Sequence, residues 1–185
     1  MTSTPAGPQR RRSDADRNRE RILAVARALL ADRAAEVSMA EVARRAGVGM
    51  ATVYRNFPGR RELLEALFAA EVDELCRATG RVSGAPGEAL LAWLRRFAVF
   101  HESKHPIAAE LLRHTDAADP VFGSSRDRVV AAGQPLLVAA QRAHEIRAGL
   151  TLDQVLDLVL AAATIPGDRA YVEPILEAAL DGLRA

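Results

Sequence analysis

Apolar residues recur at intervals of three and four along nearly the whole chain. Ile22, Ala26, Leu29 and Leu30 form one stripe; Leu63, Leu64, Leu67, Phe68, Val72 and Leu75 form a second; Leu90, Leu94, Phe97 and His101 form a third. This period belongs to helices that each bury one face, and no window alternates apolar and polar residues strictly enough to argue a strand. Gly and Pro interrupt the pattern at Pro58-Gly59, Gly84 to Gly87, Pro106, Pro120, Gly149 and Pro166-Gly167, which divides the chain into about nine helices. The predicted fold class is therefore all-α. Gly133 and Pro135 fall inside a helix expected over Ser124 to His144, which the proline should kink or split.

The 185 residues suit one compact unit, or a small domain fused to a larger one. The single cysteine, Cys76, excludes an internal disulfide and reads as a small buried hydrophobe in a cytoplasmic protein. The longest apolar runs, such as LVLAAATI at Leu158 to Ile165, fall short of the roughly 18 residues a membrane helix needs, so no membrane partner is expected. The first residues carry charge but no apolar core and do not form a signal peptide.

A formal net charge of +1 conceals an asymmetry. Residues 1–61 hold 13 Arg against 6 acidic residues, a net +7, and the remainder carries −6. A basic third of this kind points to a polyanion, with nucleic acid as the default, or else to a solvated helix face; charge alone leaves both open.

The segment Ser38 to Leu67, SMAEVARRAGVGMATVYRNFPGRRELLEAL, separates the two. Ser38 followed by Glu41 is a capping box, so a helix starts there. Met39, Val42, Ala43 and Ala46 make its inner face, and Gly47 stops it by supplying a left-handed exit. A second short helix follows, with Val53 and Phe57 inward, and Pro58-Gly59 ends it before Arg60 opens a third. Two short helices joined by a glycine-containing turn describe a helix-turn-helix, whose second helix enters the DNA major groove. Thr52 and Tyr54 can then donate to phosphates, Met50 and Ala51 can touch thymine methyls, and Arg55 or Asn56 can read guanine or adenine edges. An ordinary helical hairpin with polar outward residues is the competing interpretation.

The segment Arg21 to Leu67 resembles the N-terminal domain of TetR-family transcriptional regulators. The resemblance rests on Ala46-Gly47-Val48 at the helix end, Thr52-Val53-Tyr54 in the recognition helix, Phe57 two residues after Arg55, and Glu62-Leu63-Leu64 opening the next helix. It continues weakly through LFAAEVDELC, EALLAWLRRF, AGLTLDQVLDLVL and LEAALDGLRA, which are similar to one subgroup. It implies operator contacts by Met50, Ala51, Thr52, Tyr54 and Asn56, with Ser38 and Arg60 near phosphates. Two departures stand out: Gly49 replaces a common Ser or Thr, which loses a side-chain cap, and Arg60 replaces a common Lys. The implied organisation is a disordered basic arm over 1–15, carrying Arg10, Arg11 and Arg12, a helix-turn-helix domain over 16–62, and a ligand-binding and dimerisation domain over 63–185.

The resemblance further implies a homodimer on a double-stranded, palindromic operator, released as a repressor by a small-molecule effector, with no cofactor. Two stripes fit a helix-pair dimer face, although both could instead serve the chain's own core. One is Val155, Leu156, Val159 and Leu160, and the other is Ile175, Leu176, Ala179 and Leu183. Trp93, Phe97, Phe100, His101, His114 and Phe122 are the candidate ligand pocket, in the middle of the chain where aromatic and histidine residues gather. A DNA-binding regulator without a small-molecule ligand is the alternative. A remote third reading takes His101-Glu102-Ser103-Lys104-His105 as a zinc-peptidase motif, with His101 and His105 as ligands and Glu102 as base. Pro106, expected to break the helix there, and a third ligand that could only be Glu110 or His114 weigh against it.

Overall fold

Helix α1 (Pro8–Ala31) begins on a proline, whose fixed φ suits a first helical position. The computed structural model describes residues 8–31, 38–112 and 120–185. The start of α1 lies inside the expected 1–15 arm: from Pro8 the segment is helical, in keeping with the helix-forming Gln and Arg that follow, and residues 1–7 lie outside the described part. Then come α2 (Met39–Ala46), α3 (Met50–Asn56) and α4 (Arg60–Ala78), which ends in a 3-10 turn at Thr79–Arg81. Helices α5 (Pro86–Leu112), α6 (Pro120–Arg142), α7 (Leu152–Ala163) and α8 (Arg169–Asp181) complete the order. Among the described residues there is no strand, only an isolated bridge between Ile146 and Arg184.

Neither Pro106 nor Pro135 ends its helix. Helix α5 runs through Pro106 and α6 through Pro135. Gly133 also sits within α6, and its role is spatial: a Cβ there would stand 2.3 Å from Trp93 Cη2 and 2.6 Å from Cζ3. The indole needs that gap because it is fully buried, with Nε1 donating to the Leu75 carbonyl at 3.2 Å. Trp93 thereby locks α4, α5 and α6 around one point.

One continuous core joins the N-terminal helices, through Ile22, Val42, Val53 and Phe57, to Leu64, Leu90, Leu94 and the α7 residues Leu152, Val155, Leu156 and Val159. Ion pairs tie its rim. Arg95 meets Glu177 on α8 through two bonds of 2.7 and 2.6 Å, and Arg126 on α6 reaches Asp153 and Asp157 on α7 at 2.9 Å each.

The two stripes expected at the dimer face divide by burial. Val155, Leu156, Val159 and Leu183 are buried inside their own chain: the period of 3.6 places the three α7 residues with Leu152 and Ala162 against α5 and α8, and Leu183 lies in the turn after α8. Leu160, Ile175, Leu176 and Ala179 remain half-buried, and Leu158 is exposed. Cys76 is half-buried, its Sγ 3.7 Å from the Arg128 carbonyl, and not fully enclosed as expected.

Candidate nucleic-acid interface and ligand cavity

Ser38 caps α2 as the sequence requires, its Oγ accepting from the Glu41 backbone N–H at 3.1 Å. The reciprocal half of the expected capping box is not made. The Glu41 carboxylate accepts instead from Arg44 Nε at 2.8 Å, Arg44 Nη2 at 2.6 Å and Arg45 Nε at 2.6 Å, charge-assisted bonds that outweigh one neutral backbone donor. Arg44 first and Arg45 second draw the Glu41 carboxyl down to about 2. Because the folded value is lowered, this pairing supports α2 throughout the range above the ordinary carboxylate value and is lost as pH falls through about 2. A carbon-13 NMR titration is expected to give Glu41 a midpoint near 2, and an ordinary midpoint would remove the pairing.

Gly47 exits α2 at φ 63, a left-handed backbone that other residues rarely adopt. The turn delivers α3, whose cap Gly49 supplies only its carbonyl, accepting from the N–H groups of Thr52 and Val53 at 2.8 and 3.2 Å. Val53 and Phe57 are buried, and the Arg19 guanidinium lies over the Phe57 ring, 4.6 Å from its centroid. With those two residues anchored inward, Met50, Ala51, Tyr54 and Arg55 share the outward face. Met50 is 39% and Tyr54 48% exposed.

Thr52 and Asn56 lie half-buried on the flank of that face. Thr52 Oγ1 accepts from Arg55 Nη2 at 3.0 Å, and Asn56 Nδ2 donates to the Thr52 carbonyl at 2.8 Å. The expected base-reading set thus divides into four outward residues and two whose polar atoms also brace the helix. Arg60 has a partner within the chain: its Nη2 donates to Glu110 Oε1 on α5 at 2.7 Å, a bond toward the C-terminal half.

That ion pair leads to a cavity of about 320 Å³ between α4, α5 and α6. Phe68, Phe100 and Phe122 form its walls, with His101 beside them. Ala108, Ala109 and Leu112 close it on either side of Glu110 along α5. Of the expected pocket, Phe100, His101 and Phe122 are present and His114 lies outside the described residues. Trp93 and Phe97 do not line it: they are core residues whose rings stack in line, Trp93 on Phe97 at 6.4 Å and Phe97 on Phe100 at 6.1 Å. Phe68 went unanticipated because its place in the α4 stripe marks it only as core, and Ala108 and Ala109 because small residues give no signal. A larger hollow of about 470 Å³ also touches His101, but the exposed turn from Thr164 to Arg169 forms much of it, making it a surface groove.

Helix α5 does continue through His101 to His105, yet Glu110, a candidate third ligand, is committed to Arg60. The side chains of residues 103–106 lie outside the described set. No described helix is long and apolar enough to cross a membrane.

A buried-anchor recognition helix carried on a helical body defines a helix-turn-helix regulator. Residues 22–67 match the family described as bacterial regulatory proteins, tetR family, and residues 85–185 match the domain described as transcriptional regulator SbtR-like, C-terminal domain. The chain belongs to the TetR family of DNA-binding transcriptional regulators, proteins that are generally not enzymes. It is similar to a TetR transcriptional regulator from Streptomyces coelicolor, with 36% identity over 90% of this chain and 98% of that one and a TM-score of 0.71. It is also similar to a TetR transcription regulatory protein from Mycobacterium vanbaalenii, with 30% identity over 94% and 99% and a TM-score of 0.77. RolR, solved with its ligand resorcinol, shares the fold at 22% identity over 92% and 89% and a TM-score of 0.58. No curated protein sequence matches the chain.

Proposed function

We propose that this protein is a dimeric repressor that leaves a palindromic operator when a small molecule fills the cavity walled by Phe68, Phe100 and Phe122. The observation that carries the reading is the Arg60–Glu110 ion pair. Arg60 follows the recognition helix by four residues, across the Phe57-Pro58-Gly59 turn, and opens α4. Glu110 sits on α5 between cavity-lining Ala109 and Leu112. A ligand that displaces this part of α5 therefore pulls on the reading head through one bond. Release follows if the ligand binds the displaced arrangement more tightly than the DNA-bound one, and the same factor then appears in both affinities. RolR, of the same fold, carries resorcinol as its ligand, which agrees with a small-molecule effector. Dimerisation is supported by half-buried Leu160, Ile175, Leu176 and Ala179 beside exposed Leu158 on α7 and α8, and Met50, Ala51, Tyr54 and Arg55 would meet the bases and phosphates.

Selection of bound sequences from random DNA, followed by a compound screen for release, tests the whole reading. Recovery of a non-palindromic site, or of an operator that no compound releases, would count against it. Glu110→Gln tests the link itself. Its expected effect is to leave ligand and operator affinities separately near wild type while reducing their mutual antagonism, about 5- to 150-fold in typical coupled systems, toward one. Full antagonism in the variant, measured by operator titration with and without ligand, would show that coupling runs elsewhere.

A further inference from the structure

We infer that the cavity selects a neutral, planar aromatic molecule of roughly bicyclic size whose single hydrogen-bonding group meets His101; the inference rests on reading the cavity as the effector site. At about 320 Å³ it lies near the lower end of the roughly 300–1,000 Å³ typical of small-molecule sites, so the ligand is compact. Phe68 and Phe122 stand edge to face, their centroids 5.4 Å apart and their planes 78° apart. A flat ring lying on one phenyl presents its edge to the other, and both contacts match the negative face and positive edge of aromatic rings. A saturated skeleton of equal size buries similar area and gains neither.

Polarity narrows the class further. Among the described residues lining the cavity, His101 alone has polar side-chain atoms. Glu110, on the same stretch of α5, is turned to Arg60. A carboxylate or ammonium on the ligand would leave water for walls whose described residues other than His101 are Phe, Ala and Leu and hold no formal counter-charge. A hydroxyl pays no such cost, and it can donate to or accept from imidazole, whichever ring nitrogen carries the proton.

The test is equilibrium dialysis of the full chain against 1-naphthol, its saturated analogue decahydro-1-naphthol and its charged analogue 1-naphthoate, each quantified by mass spectrometry. The expected result is saturable binding of 1-naphthol, one molecule per chain, about tenfold or more tighter than either analogue. His101→Leu is expected to weaken 1-naphthol by about tenfold and to leave naphthalene binding unchanged. Ala109→Phe is expected to fill the cavity and abolish binding. Circular dichroism confirms that both variants keep their helices. Absence of saturable 1-naphthol binding, an analogue that binds as tightly, or an unaffected His101→Leu would overturn the inference. If 1-naphthol binds as expected and the operator is not released, the ligand class stands and the proposed induction fails. If a charged or saturated compound releases the operator and 1-naphthol does not bind, induction stands and the ligand class fails.

Discussion

Arg55→Ala is expected to weaken operator binding by about 1–3 kcal/mol at each half-site, so about 2–6 kcal/mol in the proposed operator-bound dimer, where both copies would carry the change. Tyr54→Ala should cost a comparable amount. Both side chains stand on the outward face of α3, set there by the burial of Val53 and Phe57. Neither belongs to the core, so thermal stability and dimerisation should be unchanged, which separates lost recognition from lost fold. Salt then distinguishes the two roles Arg55 could have. If it neutralises a phosphate, the slope of log affinity against log salt should flatten by about 0.9 per half-site, and the loss should be uniform across operator sequences. If it reads guanine, the slope should hold and discrimination at one base pair should relax. Mobility-shift titrations at several salt concentrations measure both quantities, and wild-type binding that does not weaken with salt would remove the phosphate contacts altogether.

The reading head was legible in the sequence because each of its features is local. Ser38 accepts a bond from a residue three positions on, Gly47 supplies its own backbone conformation, and Val53 and Phe57 are separated by one helical turn. Within it, local chemistry misled where a stronger partner competed, as when Arg44 and Arg45 took the Glu41 carboxylate from the capping box. The cavity and the Arg60–Glu110 bond were not legible, since they depend on which helices meet. Phe68 and Phe122 are separated by 54 positions and their rings by 5.4 Å, and nothing near Arg60 in the chain announces Glu110. The prolines show the same limit in the opposite sense. Pro106 and Pro135 are helix breakers by local rule, but α5 and α6 continue through them, anchored on either side by buried residues such as Phe97 and Leu111 or Val129 and Leu137. The dimer stripe meets a related limit: an apolar run of α7 identifies a helix with two covered faces without saying which residues face the chain's own core.

Gly133→Ala is expected to destabilise the protein even though alanine is the better helix former. On an exposed helix the exchange gains up to about 1 kcal/mol. Here the new Cβ would stand 2.3 Å from Trp93 Cη2, 2.6 Å from Cζ3 and 3.1 Å from Leu152 Cδ2. The indole has little room to yield, being fully buried, bonded through Nε1 to the Leu75 carbonyl and stacked on Phe97. Overpacking of this kind costs about 1–3 kcal/mol or more, so the clash should win, and Gly133→Val, with more atoms and a poorer helix former, should lose about 3 kcal/mol or more. Against a total stability of about 5–15 kcal/mol, that is a large fraction. The steric origin can be isolated, because the two clashing atoms belong to the benzo ring that phenylalanine lacks. Trp93→Phe alone should destabilise by opening a void, yet in that background Gly133→Ala should become neutral or favourable, since the added methyl enters vacated space. A double-mutant cycle by urea unfolding, run at one protein concentration because any subunit association would contribute to apparent stability, should therefore give a coupling of about 1–3 kcal/mol. Additive losses in that cycle would mean that Gly133 is needed for the backbone of α6 and not for the indole beside it.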